Sequence, residues 1–131
     1  QLSDGMSERL EVIERLKKKK YPVLDLTEDE MAKMHVRYLV GGRAALEDEV
    51  LYRFEFPERP GALMDFLSSI GSRWNISLFH FRSHGDAFGR VLVGLQIPKA
   101  ERSKLREYLD TLAYPYWEET DNPAYQLFLS L

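Results

Sequence analysis

Three histidines, His35, His80 and His84, are the first residues to weigh for chemistry. His80, Arg82 and His84 alternate along one apolar run, so they share one face of a strand, where residues four apart stand about 13 Å from each other. That is too far for two histidines to share one metal ion. Ser83, His84 and Asp86 have the residue types of a hydrolytic triad, but no nucleophile-elbow motif accompanies them and Asp86 falls in a turn. No Gly-rich phosphate loop is present. The chain has no cysteine, which excludes disulfides, thiolate zinc sites and a Cys nucleophile. The expectation is a chain with no catalytic centre and no metal site of its own.

Small-molecule recognition is the chemistry left to consider. Phe56-Pro57-Glu58-Arg59-Pro60-Gly61-Ala62-Leu63 runs from a strand end, through a turn, to a helix start. Pro60 fixes the backbone and Gly61 lets a ligand approach closely. The free amides and positive dipole end of that helix can hold a carboxylate. Asn75 can hydrogen-bond an amino group. Arg82 offers a bidentate fork to a carboxylate. Leu63, Phe79 and Phe81 can line an apolar slot. Together these groups predict a pocket for a free amino acid, with the Gly61 turn and the Arg82 guanidinium converging on it. The same residues also fit a plainer reading, Pro-Gly as a helix-start turn and Phe79 and Phe81 as core. Spacing alone does not separate the two.

These groups need elements to position them. Met6, Leu10, Ile13 and Leu16 recur at helical spacing and predict a helix over Ser3 to Lys20, with Lys17 to Lys20 at its cation-favouring end. Those lysines read as a solvated helix end rather than a phosphate patch. Tyr21 to Leu26 reads as a short strand. Thr27-Glu28-Asp29-Glu30 reads as a capping box opening a helix from about Glu28 to Tyr38, which Gly41-Gly42 ends. Arg43 to Asp48 reads as a linker. Glu49 to Pro57 alternates and predicts a half-buried strand, followed by a helix from Pro60-Gly61 with Leu63, Phe66, Leu67 and Ile70 on one face. Ile76 to Ser83 predicts a strand with Ile76 and Leu78 on one side and Phe79 and Phe81 on the other. A hairpin turn at Gly85 to Gly89 leads to a strand over Arg90 to Pro98. A helix over Lys99 to Leu112 and a strand over Tyr114 to Glu118 follow. Asn122-Pro123 then opens a last helix to about Leu129. From residue 49 onward the order is βαββαβ. The predicted fold class is therefore α+β, a ferredoxin-like sandwich with an antiparallel four-stranded sheet and both its helices on one face.

The two ends of the chain resemble each other. Tyr21, Pro22 and Thr27 recur as Tyr114, Pro115 and Thr120, 93 positions on, within the same order of helix, strand and helix. The expectation is that residues 1–48 are the back half of a first unit plus a linker, and residues 49–131 a complete second unit. The first helix then has to cover its apolar stripe against the complete unit or another copy of the chain. Gln1 rather than Met opens the sequence, and the stretch to Gly5 reads as a strand end running into a turn, so a piece of something longer is expected.

Of 131 residues, 44% are hydrophobic and 30% charged, the make-up of an ordinary folded domain. The net charge of −3, with both signs interspersed, argues against nucleic acid as a partner. An RNA-binding module shares the βαββαβ order, but Gly89-Arg90-Val91-Leu92-Val93 has aliphatic residues where its third strand needs aromatics. No apolar run reaches the roughly 20 residues of a membrane span. A ligand-free oligomerisation domain is the remaining alternative.

At Pro60-Gly61-Ala62-Leu63 and at Trp74-Asn75-Ile76-Ser77-Leu78-Phe79-His80-Phe81-Arg82 the chain resembles the ACT-like regulatory region of biosynthetic threonine dehydratase (threonine ammonia-lyase). His35 to Arg43 is similar to the segment joining that family's two ACT-like units, and the likeness extends over essentially the whole chain. The resemblance implies a parent enzyme of isoleucine biosynthesis whose pyridoxal-phosphate domain deaminates threonine to 2-oxobutyrate. Its C-terminal region would bind isoleucine, which inhibits, and valine, which relieves inhibition. It also implies a tetrameric parent, while the first helix's uncovered stripe makes a dimer the expectation for this fragment; bacterial cytoplasm and a plastid both fit. The family's cofactor-binding lysine and phosphate loop have no counterpart here, so no cofactor is expected in this chain. By the resemblance, the feedback site uses an aromatic–Arg pair matching Phe81 and Arg82 and a joining-segment Arg matching Arg37. Many relatives carry Tyr where Phe81 stands.

Overall fold

Val50, Tyr52, Phe54 and Phe56 alternate with Leu51, Arg53 and Glu55, and the stretch they share is strand β1, Glu49–Pro57. The computed structural model describes residues 5–35, 46–83, 85 and 87–130. Before β1 come helix α1, Gly5–Lys18, and helix α2, Glu30–Met34. After it come α3 (Ala62–Gly71), β2 (Asn75–Ser83), β3 (Phe88–Gln96), α4 (Arg102–Thr111), β4 (Tyr116–Glu118) and α5 (Pro123–Phe128). A single 3₁₀ turn, Lys99–Glu101, leads into α4.

The sheet runs β2-β3-β1-β4 with every neighbouring pair antiparallel. That is the α+β, ferredoxin-like arrangement the element order predicts. On one face Val50, Tyr52, Phe54 and Phe56 of β1 join Val91, Val93 and Leu95 of β3. Phe66 and Ile70 of α3 and Leu105 and Leu109 of α4 close over them. The Phe66 ring sits 4.9 Å from both the Phe54 and Phe56 rings, an aromatic cluster that anchors α3 to β1. Full burial of each such ring stabilises the fold by roughly 1.5–3 kcal/mol.

The opposite face departs from expectation. β1 is buried on both sides, not one: Leu51 is fully buried and Arg53 is 8% exposed. Met31 of α2 and Ala124 and Tyr125 of α5 lie over Leu51 and Leu92, forming a second apolar layer. The alternation of Leu51, Arg53 and Glu55 concealed this. Arg53 is buried with its charge met, 3.1 Å from the Glu119 carboxylate and 4.2 Å over the Trp117 ring. A polar residue so paired can occupy an interior position.

Strand β2 carries a register shift between Ile76 and Leu78. The extra residue, Ser77, places Ile76 with the first core and Leu78 with the second, so the expectation that they share a face is corrected. Tyr21 to Leu26 forms no strand, because a strand exists through ladder bonds and no described strand lies beside it. The capping box is also revised. Asp29, not Thr27, caps α2 by accepting from the Ala32 amide, while the Thr27 hydroxyl donates to Asp25. α2 begins two residues later than expected, His35 is its C-cap, and residues 36–45 lie outside the described residues. No α1 residue is buried; Val12 and Ile13 are half-buried and Met6 and Leu10 more than half exposed, so the described residues cover the α1 stripe only in part. Arg9 ties α1 to Asp25 and Glu28 at 3.5 and 3.3 Å.

Hydrogen bonds recur at the 93-residue spacing. The Thr27 hydroxyl donates to Asp25, and the Thr120 hydroxyl to Glu118. Asp29 caps α2, and Asn122 caps α5 through the Ala124 amide. The two caps meet, with Asn122 Nδ2 donating to Asp29 at 3.1 Å.

Candidate functional site

The exit from β1 is a tight turn held by backbone bonds. The Arg59 amide donates to the Pro57 carbonyl at 2.9 Å and the Ala62 amide to the Arg59 carbonyl at 3.3 Å. Gly61 then takes φ +87°, a left-handed conformation that favours glycine, and becomes the N-cap of α3. Having no side chain, it leaves α3 without a side-chain cap, whereas Asp29 and Asn122 cap α2 and α5. Apart from the Ala62 amide, which the Arg59 carbonyl takes, the first-turn amides of α3 have no side-chain cap, and the positive end of the helix dipole lies behind them.

Beside this turn lies a cavity of about 220 Å³, smaller than the roughly 300–1,000 Å³ of drug-sized sites. Phe56 and Pro57 of β1 and Ala62 and Leu63 of α3 line it. Phe81 of β2, Gly89 of β3 and the exposed Glu58 and Arg59 at its rim complete the lining. Arg59 also donates to the Tyr114 hydroxyl at 3.3 Å. Phe81 is 40% exposed, so its ring is a cavity wall rather than core. The arrangement offers amide donors for an anion, apolar walls, and a carboxylate for a cation.

Of the expected residues, Leu63 and Phe81 line this cavity, Pro60 and Gly61 form the turn next to it, and Asn75 and Arg82 do not line it. Phe81 pairs with Val91 on the face covered by α3 and α4, and alternation turns Arg82, paired with Arg90, to the opposite face. The expectation that Gly61 and Arg82 converge on one pocket within the chain is corrected accordingly. Asn75 opens β2 at the far end of the sheet, where its amide donates to Gln96. Arg37, His84 and Asp86 lie outside the described residues.

A second cluster, on the Arg82 face, went unread in the sequence. His35 is fully buried, its Nδ1 2.8 Å from Nδ1 of His80, with the rings edge to face. Burial first, then the charges of His80, Arg53, Arg82 and Arg90, push the His35 pKa down to about 3. Burial and then Arg82 also lower that of His80. The available signal was position: His35 stands four residues after the buried Met31, on the inward stripe of α2. Among the described residues no set of three His, Cys, Asp or Glu could hold a metal ion. The lysines whose side chains are described offer pyridoxal phosphate no desolvated amine. Lys17 to Lys20, Lys99 and Lys104 are all exposed, whereas a Schiff-base lysine works from a desolvated pocket.

The fold is a small α+β module of the ACT-like kind. Residues 40–129 match the family described as the C-terminal regulatory domain of threonine dehydratase. The chain is 58% identical over 111 residues to the L-threonine dehydratase biosynthetic IlvA of Burkholderia multivorans, covering 84% of this chain and 22% of that protein. It is 50% identical over 130 residues to the protein of that name in Escherichia coli, covering 98% and 25%. Against the mitochondrial threonine dehydratase of Saccharomyces cerevisiae it is 43% identical over 126 residues, covering 96% and 22%. The chain belongs to the family of threonine dehydratase C-terminal regulatory domains. It spans about a quarter or less of the length of these relatives. No helix among the described residues is long and apolar enough to cross a membrane.

Proposed function

We propose that this chain senses a free branched-chain amino acid, isoleucine or valine, in the cavity beside Gly61 and thereby controls a threonine-deaminating catalytic domain. The observation that carries the reading is the pairing of an apolar cavity with the uncapped N-terminus of α3. The ligand carboxylate would take the Leu63 and Met64 amides, the Ala62 amide being already bonded to the Arg59 carbonyl. Its aliphatic side chain would lie among Phe56, Leu63 and Phe81. Its ammonium would face the Glu58 carboxylate at the rim, the role that the sequence assigned to Asn75.

A bound amino acid would link the β1–α3 turn to β2. Effector coupling of this kind is typically worth ~1–3 kcal/mol. In the proposed parent enzyme, the pyridoxal-phosphate domain would receive that bias. The repeated bonds 93 residues apart support reading residues 1–48 as the back half of a first unit and 49–131 as the second. The open apolar residues of α1, Met6 and Leu10, support assembly with a further copy of the chain. Arg82 contributes to the Gly61 cavity in this reading only if it comes from such a copy. Arg37 keeps its proposed place in the joining segment.

Thermal unfolding with added ligand tests the reading. Millimolar isoleucine or valine should raise the melting temperature, and Glu58→Gln should reduce that rise. No rise with either amino acid would leave a ligand-free oligomerisation domain. In a monomeric preparation, Arg82→Ala should keep the response, and its loss would move the site to the opposite face.

A further inference from the structure

Gly89, the second residue of the central strand β3, stands between Phe56 of β1 and Ser83 of β2 and is buried. Its φ is not in the left-handed region, so the backbone does not require glycine there. The neighbouring ring does. A Cβ added at residue 89 would fall 2.7 Å from Cε2 and 3.1 Å from Cζ of Phe81, closer than such atoms pack. The same Cβ would come within 3.6 Å of the Glu58 carboxylate. The Phe81 ring thus occupies the notch left by the missing side chain. With 40% of its surface exposed, it is held by that notch more than by surrounding core.

We infer that Gly89 is the specificity-determining position of the Gly61 cavity. It lets the Phe81 ring lie back against β3 and so sets the width of a slot for a branched aliphatic side chain. This rests on the reading that the cavity binds a branched-chain amino acid. An alanine at 89 must drive the ring into the cavity, narrowing it, or out toward solvent, removing a wall. Either displacement costs affinity. Gly89 is a positioning residue in this account: it acts on the ligand through Phe81.

Calorimetric titration of the full chain with isoleucine and with valine tests the inference in four forms: the parent, Gly89→Ala, Phe81→Leu and the double variant. Gly89→Ala is expected to weaken isoleucine binding at least tenfold. Phe81→Leu is expected to weaken it less. In the Phe81→Leu background the further change at 89 should cost under twofold, because a leucine has no ring edge to collide with. An equal loss in both backgrounds, or no loss from Gly89→Ala, overturns the inference while the ligand reading stands. A parent that binds neither amino acid overturns both. Should Gly89→Ala fail to fold, a folded and binding double variant supports the inference, and a double variant that also fails overturns it.

Discussion

His35 shows how a single side chain can make stability depend on pH. Its pKa in the folded chain, about 3, lies below the ordinary 6.5 because burial and neighbouring cations disfavour the charged ring. As pH falls, the unfolded chain takes up this proton first. The contribution of His35 is therefore complete above about pH 6.5 and drains away as pH falls toward 3. By pH 5 the loss is about 2 kcal/mol, and His80, shifted the same way, adds to it. Urea midpoints at pH 7.5 and pH 5 check this: the parent should lose stability on acidification and a His35→Leu variant should lose distinctly less. A parent whose midpoint is the same at both values would mean that the ring is not shielded from water.

At the level of elements, the N-caps carry a similar lesson. Asn122→Ala and Asp29→Ala should each cost about 1 kcal/mol, the usual value of a lost cap. Because Asn122 donates to Asp29, the double variant should cost less than the sum, by about 0.5 kcal/mol or more. Strict additivity in denaturant titrations would mean that the caps do not touch in solution. Both caps have the expected residue types, and Asn122-Pro123 was legible as a helix start; Asp29 was missed because Thr27 and Glu30 offered a competing pattern. β1 was legible to the residue because its alternation is unbroken. The bulge at Ser77 left no mark in the sequence, since a serine in a strand looks like any solvent-facing position. With it went the correct faces of Ile76 and Leu78. The candidate site was half legible for a related reason. Pro60 and Gly61 announce a turn by their type, but Phe81 and Arg82, one residue apart, were assigned to one pocket although a strand must send them to opposite sides.

Taken as a whole, the molecule is a sheet clad on two sides, one by α3 and α4, the other by α2 and α5. Leu51 measures how firm the second layer is. Leu51→Ala should destabilise the chain by about 2–5 kcal/mol, as at any fully packed position, although it lies on the side that alternation marks as outer. A cost below 1 kcal/mol would show that α2 and α5 ride loosely on the sheet. The cladding of that side is drawn from both ends of the chain, and the bond between Asp29 and Asn122 is where those ends meet. Such a bond is blind to ancestry: it needs one capping aspartate and one capping asparagine, whichever molecule supplies them. Two molecules could therefore trade their leading segments, each completing the other's outer layer, without giving up a single cap contact. Exchange of this kind would yield an intertwined pair built from contacts already present in one chain.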